Sequence, residues 1–202
     1  MLDCFFLFVC DQFKLDMIKK HDHSVSQIQF TQTSHTLCST ACLVWIISLL
    51  KFQKEDFLTD HYVKQVLSFA NDLHQKIELS LNKRHEMISI DDIFSVMPSP
   101  IKVSMSEYYG HCLLPESSDC IAAIPNIIHR NNLCDLMKPS IGIVITCNAH
   151  NVAIFCRSDD ELVLFDSMPA CTYELNKDGL QMCLSNIFRN MEEFNVFVLE
   201  QI

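Results

Sequence analysis

Cys38 stands where a short polar loop meets an apolar run, Ser34-His35-Thr36-Leu37-Cys38-Ser39-Thr40-Ala41-Cys42-Leu43-Val44-Trp45-Ile46-Ile47-Ser48-Leu49-Leu50. The run has no polar face, which is the pattern of a helix buried on all sides. A cysteine on its first turn meets the positive end of the helix dipole, where a thiolate is favoured over a thiol. That is the chemistry of a nucleophile. Six residues upstream, Gln32 carries an amide able to donate to an oxyanion forming beside the sulfur, with Gln29 and Gln27 on the same approach. Downstream, the segment from Asn148 to Phe155 precedes the segment from Glu161 to Asp166. The pair reads as two strands of a hairpin that deliver His150 and Asp166, a base and the carboxylate that orients it. Against this stands a plainer reading of Cys38 as a structural thiol in a core helix, since free cysteine is among the most buried residue types.

The elements that must position these groups fall into two halves. After the cysteine helix, Asp56 to Asp60 breaks the pattern, and Thr59 or Asp60 can cap a long second helix. Its apolar positions Val63, Val66, Leu67, Ala70, Leu73, Ile77 and Leu81 follow helical spacing, which puts His74 and Lys76 on the wet side. Ser89 caps a short turn through Ile90, Ile93 and Phe94, and Pro98 and Pro100 end local regularity. Glu107 to Glu116 reads as a loop; His111 within it has no supporting neighbours in the sequence. Asp119 to Leu133 reads as helix. From Gly142 the period becomes that of strands: Gly142–Cys147, His150–Arg157 and Glu161–Asp166, with Ser158-Asp159-Asp160 as a turn. Leu180 to Met191 reads as an amphipathic helix and Phe194 to Leu199 as a last strand. Helices followed by strands predict an α+β domain over 1–202, helical over about 34–133 and sheet-rich over about 141–202.

Composition narrows the function classes. Of 202 residues, 49% are hydrophobic and 20% charged, which argues for one globular core rather than disorder. Only 3 glycines are present, and neither G-x-G-x-x-G nor a P-loop occurs, so nucleotide phosphates have no cradle. A net charge of −10 disfavours nucleic acid. The 11 cysteines are scattered singly with no C-x-x-C pair, which speaks against a zinc ribbon and for reduced thiols in an intracellular setting. His21-Asp22-His23-Ser24 reads as a surface loop whose H-x-H is a weak metal pattern. Leu2 to Cys10 is apolar but too short to span a membrane, and Leu37 to Leu50 also falls short. No membrane association is expected.

Taken with their order, these residues resemble the ubiquitin-specific cysteine protease domain of herpesvirus large tegument proteins, which has relatives in mobile-element and invertebrate proteins. The resemblance rests on Gln32 ahead of Cys38 and its apolar helix, and on Val66-Leu67-Ser68-Phe69-Ala70-Asn71-Asp72-Leu73. It rests also on Ser89-Ile90-Asp91-Asp92-Ile93-Phe94 and on Leu164-Phe165-Asp166-Ser167-Met168-Pro169. It covers roughly Gln29 to Phe197. It implies a papain-like cysteine protease fold, with the Cys-bearing helix packed on a C-terminal antiparallel sheet. It also implies a deubiquitinase-like thiol protease acting on or binding ubiquitin-like C-terminal tails. Cys38 would attack, Asp166 would orient the base, and Gln32 would hold the oxyanion. The partner implied is ubiquitin or a ubiquitin-like protein, in the cytoplasm or nucleus, including that of a virus-infected host. Such chemistry needs no metal or cofactor.

Two departures matter. The family histidine follows the aspartate by two residues, and that position here is Met168, a thioether that carries no proton. The glycine-rich approach to the cysteine is also absent. His150, at the strand head where papain-like proteases carry their histidine, is the available substitute base. Three readings therefore stand: an active Cys38–His150–Asp166 protease, a pseudoenzyme that keeps the binding surface, and an unrelated interaction domain.

Overall fold

A computed structural model describes residues 18–25, 37–52, 57–83, 88–96, 103–109, 141–147, 150–157, 161–168, 170–188 and 194–201. Its centre is built from the β-branched and apolar residues near the C-terminus. Strands β3 (Ile141–Cys147), β4 (His150–Cys156) and β5 (Leu162–Asp166) pair as an antiparallel meander. Four more strands extend it: β1 (Ile18–Asp22), β2 (Val103–Tyr109), β6 (Cys171–Leu175) and β7 (Phe194–Gln201). The seven-stranded order is β1-β6-β5-β4-β3-β7-β2, and every pairing is antiparallel.

Strand alternation sorts the core into two layers. Val144, Ala153, Phe155, Val163, Phe165, Phe197 and Leu199 face one side. There they meet helix α1 (Cys38–Phe52), backed by α2 (Asp60–Leu81) and α3 (Ile90–Val96). Ile143, Ile145, Val152, Ile154, Leu162 and Leu164 face the other side, against α4 (Lys177–Ile187). The lack of a polar face on α1 is explained by this position: one flank lies on the sheet and the other under α2 and α3. Trp45 at its middle stacks on Phe165, ring centroids 5.2 Å apart and 17° from parallel. Burial of each large apolar side chain in such a layer contributes about 1.5–3 kcal/mol.

Close approach of α1 to the sheet has a local requirement. A Cβ placed on Gly142 would lie 2.2 Å from Cγ2 of Ile46. Only a residue without a side chain fits where β3 passes beneath the helix.

The helix caps follow the sequence. Thr59 accepts from the Tyr62 amide at the start of α2, and Asn82 in the left-handed region ends it. Ser89 and Asp92 bond reciprocally to each other's main-chain N–H groups in a capping box at α3.

Four expectations need correction. His74 is not on the wet side of α2 but buried against α1, with Nδ1 3.1 Å from Oγ1 of Thr40. Helical spacing put it next to the apolar stripe, and the Thr40 hydroxyl made burial tolerable. Residues 21–24 are not a surface loop. His21 and Asp22 end the edge strand β1, while the His23 side chain is almost wholly enclosed, with Nδ1 3.0 Å from Oδ1 of Asp60 and Nε2 3.0 Å from Oγ1 of Thr172. Glu107 to Tyr109, expected as loop, belong to β2, where pairing with β7 outweighs weak local alternation. The last helix spans Lys177–Ile187, starting earlier because Asn176 caps it through the Gly179 amide. The readings for 2–10, His111, 119–133 and 158–160 lie outside the described residues.

Candidate active site

Cys38 opens α1, as its sequence context requires, and the helix places its thiol at the head of β4. The sulfur is fully buried. Nδ2 of Asn151 donates to it at 3.0 Å and to Oγ of Ser39 at 3.0 Å. One turn on, the Cys42 thiol donates to the Asn151 carbonyl oxygen at 3.2 Å. The first turns of α1 are thus fastened to the second residue of β4 by main chain and side chain together.

Two opposing effects act on the Cys38 thiol. Burial raises its pKa above the ordinary thiol value by penalising the anion. Donors from the Asn151 side chain, the Asn151 and Ser39 main chains and the Ser39 hydroxyl pull the other way, and burial wins. The expectation that the helix terminus would favour thiolate is therefore reversed in this conformation. Cys42 is pushed up further, by complete burial and by the nearby Cys38 and Asp166 charges.

The second cluster sits at the same end of the sheet. Nε2 of His150 donates to Oδ1 of Asp166 at 2.9 Å. The same oxygen accepts the main-chain N–H of Met168 at 2.9 Å, across the turn that leaves β5. The His150 ring meets Phe188 edge-on, with centroids 5.8 Å apart. Asp166 is buried, so its carboxylate is held by these donors rather than by water.

The period of β4 separates the two clusters. His150 shares a face with Val152 and Ile154, toward α4; Asn151 shares a face with Ala153 and Phe155, toward α1. His150 and Asp166 are therefore brought together, and Asn151 is the β4 side chain brought onto Cys38. Asn151 was missed in the sequence because an asparagine beside a histidine at a strand head carries no signal of its own. Its order of neighbours, one residue after a candidate base and opposite a candidate nucleophile, was the available hint. Gln32, Gln29 and Gln27 lie outside the described residues.

Among the described residues no group of three or more His, Cys, Asp or Glu side chains is arranged to hold a metal ion. His21 and His23 are instead spent on Glu174 at 2.6 Å and on Asp60 and Thr172. Among the described residues no helix is long and apolar enough to cross a membrane.

No protein-family model matches the sequence, and no curated protein matches it. Solved structures do. The ubiquitin-specific protease of murine cytomegalovirus tegument protein M48, solved with a ubiquitin-based suicide substrate, superposes with a TM-score of 0.62 at 13% identity. The match covers 90% of this chain and 84% of that one. The Pseudomonas avirulence protein AvrPphB superposes with a TM-score of 0.54 at 11% identity, covering 87% of this chain and 100% of that one. At such identities the likeness is one of fold. The chain has the α+β fold of papain-like cysteine proteases, with a cysteine-bearing helix packed on an antiparallel sheet.

Proposed function

We propose that this chain is a deubiquitinase-like thiol protease domain, related to the ubiquitin-specific proteases of herpesvirus tegument proteins, that engages ubiquitin-like C-terminal tails at Cys38. The observation that carries the reading is Cys38 on the first turn of α1 held at the head of β4, one residue along from a histidine hydrogen-bonded to Asp166, in a fold shared with a ubiquitin-bound protease. With Nε2 committed to Asp166, the other ring nitrogen, Nδ1, is the one left to take the thiol proton. In the reaction, the Cys38 sulfur attacks the carbonyl carbon of the scissile bond and its proton passes to His150, a transfer that requires the imidazole to turn from the α4 face of β4 toward the sulfur. The imidazolium returns that proton to the leaving amine, and water then releases the acyl group from sulfur. Gln32 and the Cys38 main-chain N–H are the oxyanion donors in this scheme. A net charge of −10 suits a partner with a basic face.

A second reading, a binding domain with impaired hydrolysis, is favoured by three features of the same site. Cys38 is fully buried, its sulfur engages Asn151, and Met168 occupies the position of the family base. One experiment separates the readings. A ubiquitin probe with a C-terminal electrophile is applied to wild type, Cys38→Ala and His150→Ala, alongside a binding titration with unmodified ubiquitin. Labelling that disappears in both variants establishes the protease. Binding without labelling establishes the pseudoenzyme. Neither binding nor labelling refutes both.

A further inference from the structure

The structure assigns a role to Asn151: we propose that it is a positioning residue for Cys38, whose amide holds the sulfur in place and supplies a hydrogen bond to its anionic form. The inference deepens the proposed function, since it concerns the same sulfur.

The geometry is specific. Asn151 is fully buried in β4, and both ends of its amide are engaged. Nδ2 spends its two hydrogens on Sγ of Cys38 and Oγ of Ser39, each at 3.0 Å, while Oδ1 accepts the hydroxyl of Thr146 from the neighbouring strand β3. In this arrangement Oδ1 faces the Thr146 hydroxyl and Nδ2 faces Cys38 and Ser39, so the donor end of the amide is the one at the sulfur. The Asn151 carbonyl takes the Cys42 thiol proton, which locks the main chain at the same place. A buried amide satisfied on three sides by two elements is rigid, and rigidity is what a positioned nucleophile requires.

A structural role alone would be met by any polar residue bridging α1 and β3. What marks Asn151 out is that one donor is directed at sulfur, a poor acceptor as a thiol and a good one as a thiolate. The bond therefore strengthens on ionisation and works against the burial that holds the thiol up. The titratable groups around it are Cys42 on the same helix, His150 at the head of β4, Asp166 at the end of β5 and His74 on α2 behind Thr40. None of these removes the need for a donor at the sulfur itself.

The test reads the pH profile of Cys38 alkylation by iodoacetamide, followed by peptide mass spectrometry on the full chain. Accessibility scales the rate at every pH, whereas the midpoint reports the thiol. Asn151→Leu, which keeps the volume and removes the donor, is expected to move the midpoint up by about one to two pH units. Thr146→Val, which frees the amide to turn, is expected to move it in the same direction by less. Circular dichroism checks folding; where Asn151→Leu does not fold, Thr146→Val decides. Midpoints within about 0.3 units of wild type in the folded variants overturn the proposal, since tenfold to hundredfold changes are required. The alkylation needs no ubiquitin, so a displaced midpoint with no ubiquitin-probe labelling leaves Asn151's role standing while the ubiquitin reading falls.

Discussion

His150 and Asp166 lie sixteen residues apart, yet Nε2 of the one is 2.9 Å from Oδ1 of the other at the end of the sheet. That oxygen also takes the Met168 amide, so the carboxylate is oriented from two sides before any substrate arrives. The contact arises from the β4–β5 register, in which Asp166 pairs with Val152 and its side chain reaches the head of the neighbouring strand. A histidine and the carboxylate that orients it are therefore paired on the opposite face of β4 from Asn151, the side chain that meets Cys38.

Met168→His is expected to raise turnover of a fluorogenic ubiquitin substrate by about a hundredfold or more, the usual worth of a general base. The turn already directs residue 168 back toward Asp166. In that background His150→Ala should leave most of the activity, whereas in wild type it should remove whatever there is. Equal turnover by Met168→His and wild type would show that the position lacks the reach a base needs.

Cys38 and Cys42 are expected to react differently with pH in the absence of any substrate. Both thiols are raised by burial, Cys42 further. Since the thiolate is the reacting species, alkylation of Cys38 should climb about tenfold per pH unit without levelling below pH 9, and Cys42 should lag behind it. Levelling of the Cys38 profile below pH 8 would instead reveal an imidazolium partner at the sulfur.

His74 should make the fold sensitive to mild acid. Burial lowers its pKa below the free value of 6.5, with Glu78, 3.6 Å from Nε2, opposing only in part. The unfolded chain therefore binds a proton that the folded chain resists, so stability falls as pH drops through about 6.5. The depressed carboxylates Asp60, Asp92 and Glu174 act lower, below their ordinary values near 4. Melting temperature should drop between pH 7 and 5.5 in wild type and be flatter in His74→Gln; identical slopes would assign the effect elsewhere.

Gly142→Ala should cost about 1–3 kcal/mol in urea unfolding, because its methyl meets the β-branched Ile46 rather than a yielding chain end. Ile46→Ala alone leaves a cavity, but in combination the two should be less than additive. Strict additivity of the two costs would mean that helix and strand separate instead of clashing.

Local pattern was enough for several parts of this protein. An unbroken apolar run after Cys38 can only be a helix covered on both flanks, and α1 is that helix. Period-two runs from Gly142 onward can only be strands of a buried sheet, and β3 to β5 are those strands. Short-range signals of this kind depend on side chains a few residues apart, so they are written in the chain itself. Strands β1 and β2 were not legible in the same way, because edge pairings such as Ile18 with Leu175 and Val103 with Gln201 join segments far apart in the chain. The site divides along the same line. Candidate groups Cys38, His150 and Asp166 could be named from type and order. Which neighbour meets the sulfur depends on strand parity, where one step along β4 exchanges one face for the other. Packing of β4 between α1 and α4 made that choice, and it set Asn151 against Cys38 and His150 against Asp166 and Phe188.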